Sequence, residues 1–143
     1  AAHASLIELL VRRPRPYIYT TAAPPALAHA LQASLDIIGG AEGARRRAHL
    51  AALVEHLQDG LRPQRWQLLA SSTAIQPLII GSNEDALRVA AGLHEQGLWV
   101  PAIRPPTVAP GTARLRVTLC AAHTHDEVAR LARALNELER ATA

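Results

Sequence analysis

Residues 98–120 read LWVPAIRPPTVAPGTARLRVTLC, the most informative run of the chain. Leu98 to Ile103 is a short extended segment. Arg104 to Thr112 carries three prolines in nine residues, which fix the backbone and freeze a loop that would otherwise be free. From Arg114 the side chains alternate. Leu115, Val117 and Leu119 fall on one side, and Arg114, Arg116 and Thr118 on the other, as in a strand with one buried and one open face. A rigid loop held between two strands is the arrangement in which loops carry function.

The flanking sequence supplies what covers the buried face. Upstream, Ile75 to Ile80 is a strand, Gly81-Ser82-Asn83 a turn, and Glu84 to Gln96 a helix stopped by Gly97. Ser82 or Asn83 can cap that helix, Glu84 and Asp85 suit its positive end, and Ala86, Val89, Ala90 and Leu93 share one face. Pro77 has no N–H to give to a ladder, so its strand is expected to begin there or to lie at a sheet edge. Downstream, Thr124-His125-Asp126-Glu127 is a capping box that opens a last helix with the stripe Val128, Leu131, Ala132, Leu135 and Leu138.

Further out, Leu50, Leu53, Val54, Leu57 and Leu61 mark a helix from about Glu42 to Asp59. Pro24-Pro25 opens an earlier helix with Leu27, Leu31, Leu35 and Ile38, ended by Gly39-Gly40. Tyr17 to Thr21 is β-prone, and residues 1–16 hold a short helical candidate ended by Arg13-Pro14-Arg15-Pro16. The expected class is α+β: a small, mostly antiparallel sheet covered by helices on one face and preceded by a long helical linker.

Composition removes several function classes. At 143 residues, 49% hydrophobic and 19% charged, the chain has a globular balance, with no apolar run near the roughly 20 residues of a membrane span. No basic, apolar, small-residue signal pattern opens it, and a cytoplasmic location is expected. With Cys120 alone, neither an internal disulfide nor a cysteine-based zinc site can form, and Cys120 reads as a small apolar residue at a strand end. All 15 basic residues are arginines, for a net charge of +3. They cluster only at Arg12-Arg13-Pro14-Arg15 and Arg45-Arg46-Arg47, with Glu42 and Glu55 nearby and aromatics at 3%, so no nucleic-acid surface is expected. His123 and His125 belong to a helix start, with no H-E-x-x-H or H-x-x-x-H pattern, and no metal site is expected. Nor is there a G-x-S-x-G nucleophile elbow.

Two constellations carry chemistry. Arg114 and Arg116 place two guanidiniums side by side, and a planar fork grips a carboxylate through two parallel hydrogen bonds. The same pattern also describes a solvated sheet face. Thr20 and Thr21 precede a proline-opened helix, where hydroxyls suit either a phosphate or simple capping.

The runs YIYTTAAPPALAHALQASLDII (17–38), AIQPLIIG (74–81) and GLWVPAIRPPTVAPGTARLRVTLCAAHT (97–124) together resemble the C-terminal third of the α-oxoamine synthases. The RPPTV loop ahead of GTARLR is closest to the biotin-pathway branch of that family. The resemblance implies a fold-type I, aminotransferase-like homodimer that uses pyridoxal 5'-phosphate. In this branch L-alanine condenses with a pimeloyl thioester, carried by CoA or acyl carrier protein, with loss of carbon dioxide. Residues 1–62 would then be the end of the cofactor-binding large domain plus linker helices, and residues 63–143 the small C-terminal domain. Thr107 would contact substrate, Arg116 would hold the amino-acid carboxylate, and Thr20 or Thr21 would reach the cofactor phosphate of the neighbouring subunit. The family commonly has proline directly after the valine of RPPTV, where this chain has Ala109 before Pro110.

The family's Schiff-base lysine, its ring-stacking histidine and the aspartate partner of the pyridine nitrogen lie upstream of the matched region. The chain itself contains no lysine, so no side chain of it can hold the cofactor covalently, and no catalytic residue is assigned within it. Alone it is expected to be inactive. The competing reading is a non-catalytic α+β module that dimerises through its sheet and binds an anionic metabolite with Arg114 and Arg116.

Overall fold

The structure, a computed structural model, describes residues 2–142, with Tyr17 described by its backbone alone. It falls into two compact units, Ala1–Gly40 and Ala41–Ala143. The division lies within the 1–62 stretch assigned above to the end of a large domain plus linker.

The first unit is helical. Helix α1 spans Ala4–Arg12, α2 Arg15–Ile18 and α3 Pro25–Gly39. Pro25 occupies the first turn of α3, where the missing N–H costs nothing. The β-prone reading of Tyr17 to Thr21 does not hold. Ile18 N–H donates to Pro14 O and Tyr19 N–H to Arg15 O, which closes one helical turn instead. Strand propensity is realised only against a partner strand, and among the described residues none pairs with this segment. No residue of α1 or α3 is buried, and Leu6, Leu10, Leu31, Leu35 and Ile38 stand exposed.

The second unit is the α+β body. It begins with helix α4 (Ala41–Gly60), followed by strands β1 (Gln67–Leu68) and β2 (Ile75–Gly81) and helix α5 (Asn83–Glu95). Strands β3 (Ala102–Ile103) and β4 (Ala113–Thr118) and helix α6 (His125–Ala141) complete it. The sheet is antiparallel throughout, in the order β1-β2-β4-β3. The core joins Leu53 and Leu57 of α4, Val89 and Leu93 of α5, Leu115 of β4 and Leu135 of α6, all 0–1% exposed. Each such side chain contributes roughly 1.5–3 kcal/mol by leaving water.

Helix ends follow the capping residues. The Ser82 hydroxyl accepts from Asp85 N–H at the start of α5. At α6 the Thr124 hydroxyl accepts from Glu127 N–H, while the Glu127 carboxylate accepts from Thr124 N–H at 2.8 Å. In α4 the arginine triplet finds an acid within one turn, since Arg46 pairs with Glu42.

Pro77 corrects one expectation. Its strand is central, paired with both β1 and β4. The carbonyl of Pro77 accepts from Leu69 N–H, so its missing N–H faces the side of the sheet where β1 lies. β1 is only two residues long, and the cost is confined to a place where the ladder is already ending.

Two buried polar groups hold the body together. Gln76, 0% exposed, donates to Thr73 O and Ser71 O and accepts from the Gln58 amide of α4 at 2.8 Å. Glu139, 4% exposed, accepts the backbone N–H groups of Gln64, Arg65 and Trp66, which ties the end of α6 to the turn before β1. Burial pushes the Glu139 carboxyl up. The amides of Trp66, Arg65 and Gln64, with the Arg65 charge, outweigh that and hold it below the ordinary glutamate range.

Among the described residues no helix is long and apolar enough to cross a membrane.

Candidate functional site

Strands β3 and β4 form a hairpin around the proline-rich loop, with Ile103 opposite Arg114 and Ala102 opposite Leu115. The alternation expected of β4 is observed, since Ala113, Leu115 and Val117 are buried while Arg116 and Thr118 are exposed. On the other side of β4 the register places Pro77 opposite Arg116 and Ile79 opposite Arg114. The open face is therefore a row of apolar residues interrupted by two arginines.

The two arginines differ in their surroundings. Arg114 is half-buried, and its Nε donates to Thr112 O at 3.1 Å while Nη2 reaches Thr112 Oγ1 at 3.2 Å. Arg116 is exposed and its guanidinium has no hydrogen-bond partner or counter-charge among the described residues. Its backbone N–H donates to Pro101 O, so a proline borders it on the β3 side as Pro77 does on the β2 side. Proline rings offer no competing acceptor to a guanidinium, which leaves the fork of Arg116 uncommitted. A free planar fork on a rigid strand is suited to a carboxylate.

Thr107 lies in the loop between β3 and β4. Its backbone N–H closes a turn on Arg104 O at 3.0 Å, and its exposed hydroxyl makes no hydrogen bond among the described residues. The Pro105–Pro106 bond is cis. At the far end of the loop Gly111 takes φ +78°, a conformation in which a side chain would be strained. Thr112 then folds back, its N–H and its hydroxyl both donating to Ala109 O at 3.1 and 2.8 Å. Arg116 and Thr107 thus belong to one hairpin, with no direct bond between them.

Thr20 and Thr21 lie in the first unit, in the link between α2 and α3, and both are exposed. The cap of α3 is Pro24, with no side-chain hydrogen bond, so neither hydroxyl caps the helix. Both remain available as donors, which fits a phosphate. The chain offers no amine side chain to go with them.

The remaining candidates resolve into structure. Cys120 lies exposed beyond the end of β4, contrary to the apolar strand-end reading, and its N–H donates to His123 Nδ1 at 3.1 Å. His125 packs its ring edge-on against His49 and His56, with centroids 5.4 Å apart in each case. Among the described residues no group of three or more His, Cys, Asp or Glu is arranged to hold a metal ion. Sequence reading did not single out Thr112, although the period of two that set Arg114 beside Arg116 also sets Thr112 beside Arg114.

Comparison with known proteins gives these features a context. The chain is 65% identical over 139 residues to the 8-amino-7-oxononanoate synthase of Janthinobacterium sp. (strain Marseille), a match covering 97% of the chain and 35% of that relative. The chain thus spans about a third of the length of the curated relatives it matches. Among solved structures, Sphingomonas wittichii serine palmitoyltransferase superposes with a TM-score of 0.79 at 30% identity, over 97% of this chain and 35% of that one. A variant serine palmitoyltransferase from S. paucimobilis with a bound PLP–myriocin aldimine superposes with a TM-score of 0.73 at 26% identity, over 97% and 35%. The model of the family described as aminotransferase class I and II matches residues 1–135. With nearly its whole length matched, the chain belongs to the class I and II aminotransferase family.

Proposed function

We propose that this chain is the C-terminal third of an 8-amino-7-oxononanoate synthase, an acyltransferase that condenses L-alanine with a pimeloyl thioester and releases carbon dioxide. The observation that carries the reading is the fork of Arg116, without a partner among the described residues and set between Pro77 and Pro101 on a rigid strand. The 65% identity to a synthase of that name supports the substrate pair. Arg116 binds and orients the alanine carboxylate, and Thr107 meets the substrate from the loop. Thr20 or Thr21 would hold the phosphate of pyridoxal 5'-phosphate bound in the neighbouring subunit of a homodimer. When bound, that cofactor supplies the electron sink on which carbon–carbon bond making and breaking depend. The amine that anchors it comes from outside this lysine-free segment. In this reading residues 1–62 close the large domain, residues 63–143 form the small one, and the enzyme works in the cytoplasm.

The test is an assay of the complete reading frame. L-Alanine and a pimeloyl thioester should give 8-amino-7-oxononanoate with release of carbon dioxide, whereas the isolated chain with pyridoxal 5'-phosphate should give neither turnover nor a covalent adduct at any side chain. A lysine-bearing segment should be encoded ahead of residue 1. A frame that places it after residue 143, or a complete enzyme indifferent to L-alanine, would overturn the reading.

A further inference from the structure

We propose that Arg114 is a positioning residue of this site, bracing the loop that carries Thr107 through the hydroxyl of Thr112. The proposal rests on the functional reading above. Two arginines on one face of β4 are engaged differently.

Arg114 spends two donors of its fork on a single residue two places back, Nε on Thr112 O and Nη2 on Thr112 Oγ1. The same Thr112 hydroxyl donates onward to Ala109 O at 2.8 Å, beside the backbone bond from Thr112 N–H to that carbonyl at 3.1 Å. One oxygen therefore accepts from the guanidinium and gives its proton to the loop. The relay runs Arg114, Thr112, Ala109, and it closes the C-terminal end of the loop where Gly111 turns the backbone through φ +78°. At the other end Thr107 N–H closes on Arg104 O, one residue after Ile103, which pairs with Arg114 across the ladder. Both ends of the loop thus adjoin the rung formed by Ile103 and Arg114.

The surroundings of Arg114 suit bracing and not ligand capture. It is half-buried between Ile103 and Ile79 on the flanking strands, and its donors point back along its own strand. A hydrogen bond shielded by such neighbours is stronger than one in open water. Arg116, two residues on, has no such engagement among the described residues. The ARLR run thereby divides its labour, with the first arginine holding the loop and the second free for the substrate. Sub-ångström placement of Thr107 relative to Arg116 is what the brace secures, and misplacement on the order of 1 Å costs up to about 100-fold in rate.

The experiment uses the complete enzyme with Arg114→Gln, Thr112→Val, their double variant, Thr112→Ser and Arg116→Ala. Arg114→Gln and Thr112→Val should each lower kcat/KM for L-alanine about tenfold, with cofactor affinity unchanged. The double variant should fall no further than either single one, because both cut the same relay. Thr112→Ser, which keeps the hydroxyl, should restore most of the activity. Amide exchange across 104–112 should quicken about tenfold in Arg114→Gln and Thr112→Val but not in Arg116→Ala. If Arg116→Ala abolishes alanine binding while the Arg114 and Thr112 variants keep wild-type kcat/KM, or lose it additively, the brace is wrong and the site stands. If Arg116→Ala leaves alanine affinity intact, the functional reading itself fails and the proposal with it.

Discussion

The Glu139 carboxylate accepts the Trp66 backbone N–H at 2.8 Å, joining the last helix to the turn that leads into β1. Gln64 and Arg65 give their N–H groups to the same side chain. Three donors converging on one buried acceptor leave no other partner for those amides.

Glu139→Ala should therefore lower stability by about 2 kcal/mol in urea unfolding, since it strands the buried Trp66 N–H as well as removing charge-assisted bonds. Glu139→Gln should cost less, because its amide oxygen still accepts. The pH dependence has a fixed sign. A carboxyl held below its unfolded value contributes stability that is fully present above the ordinary glutamate range and is lost as pH falls through the folded value. The acid limb of the wild-type stability curve should flatten in Glu139→Gln, and an unchanged limb would remove Glu139 from that role.

At the start of α6 the Thr124 and Glu127 bonds are reciprocal. Thr124→Ala should cost about 1 kcal/mol, and Thr124→Ser much less. The amide and hydroxyl of Thr124 hold the Glu127 carboxyl below its usual range, so carboxyl titration followed by NMR should show that value rise in Thr124→Ala. A Glu127 titration that does not move would mean that the box is not formed in solution.

In the complete enzyme Arg116→Ala should lose most L-alanine binding, about 2–5 kcal/mol for a desolvated, bidentate pair that loses one partner. Arg116→Lys should recover little of it, because an ammonium cannot reproduce the planar fork. Binding measured by titration calorimetry checks both, and full rescue by lysine would reduce the contact to a simple point charge.

Thr20→Ala with Thr21→Ala should weaken affinity for pyridoxal 5'-phosphate in the complete enzyme and leave its circular dichroism unchanged. Neither hydroxyl caps α3, so the helix does not depend on them. Unchanged cofactor affinity would count against the phosphate role.

Much of this fold was legible in the sequence because its signals were local. The Ser82 and Thr124 caps, the proline that opens α3 and the alternation of β4 each depend on residues within one turn or one strand. What was not legible depends on partners distant in the chain. Gln67–Leu68 pairs only because Leu78 and Ile79 are beside it, and two residues carry too little pattern to announce a strand. Pro77 looked like an edge residue because the sequence does not reveal that its neighbour on one side stops after two residues. Tyr17 to Thr21 had the composition of a strand and, among the described residues, no strand to join. At the site, Arg114 and Arg116 were legible as a pair. Their difference was not, since it arises from where Thr112 turns its hydroxyl and from prolines on two other segments.

The sheet ends on both sides in strands of two residues, β1 and β3. A foreign strand adding to either margin would find a template of that length only, too short to repay the ordering of a new chain. On the β1 side the next position inward is Pro77, which has no N–H to donate. The longer strands β2 and β4 are thereby shielded from adding a foreign strand at either margin.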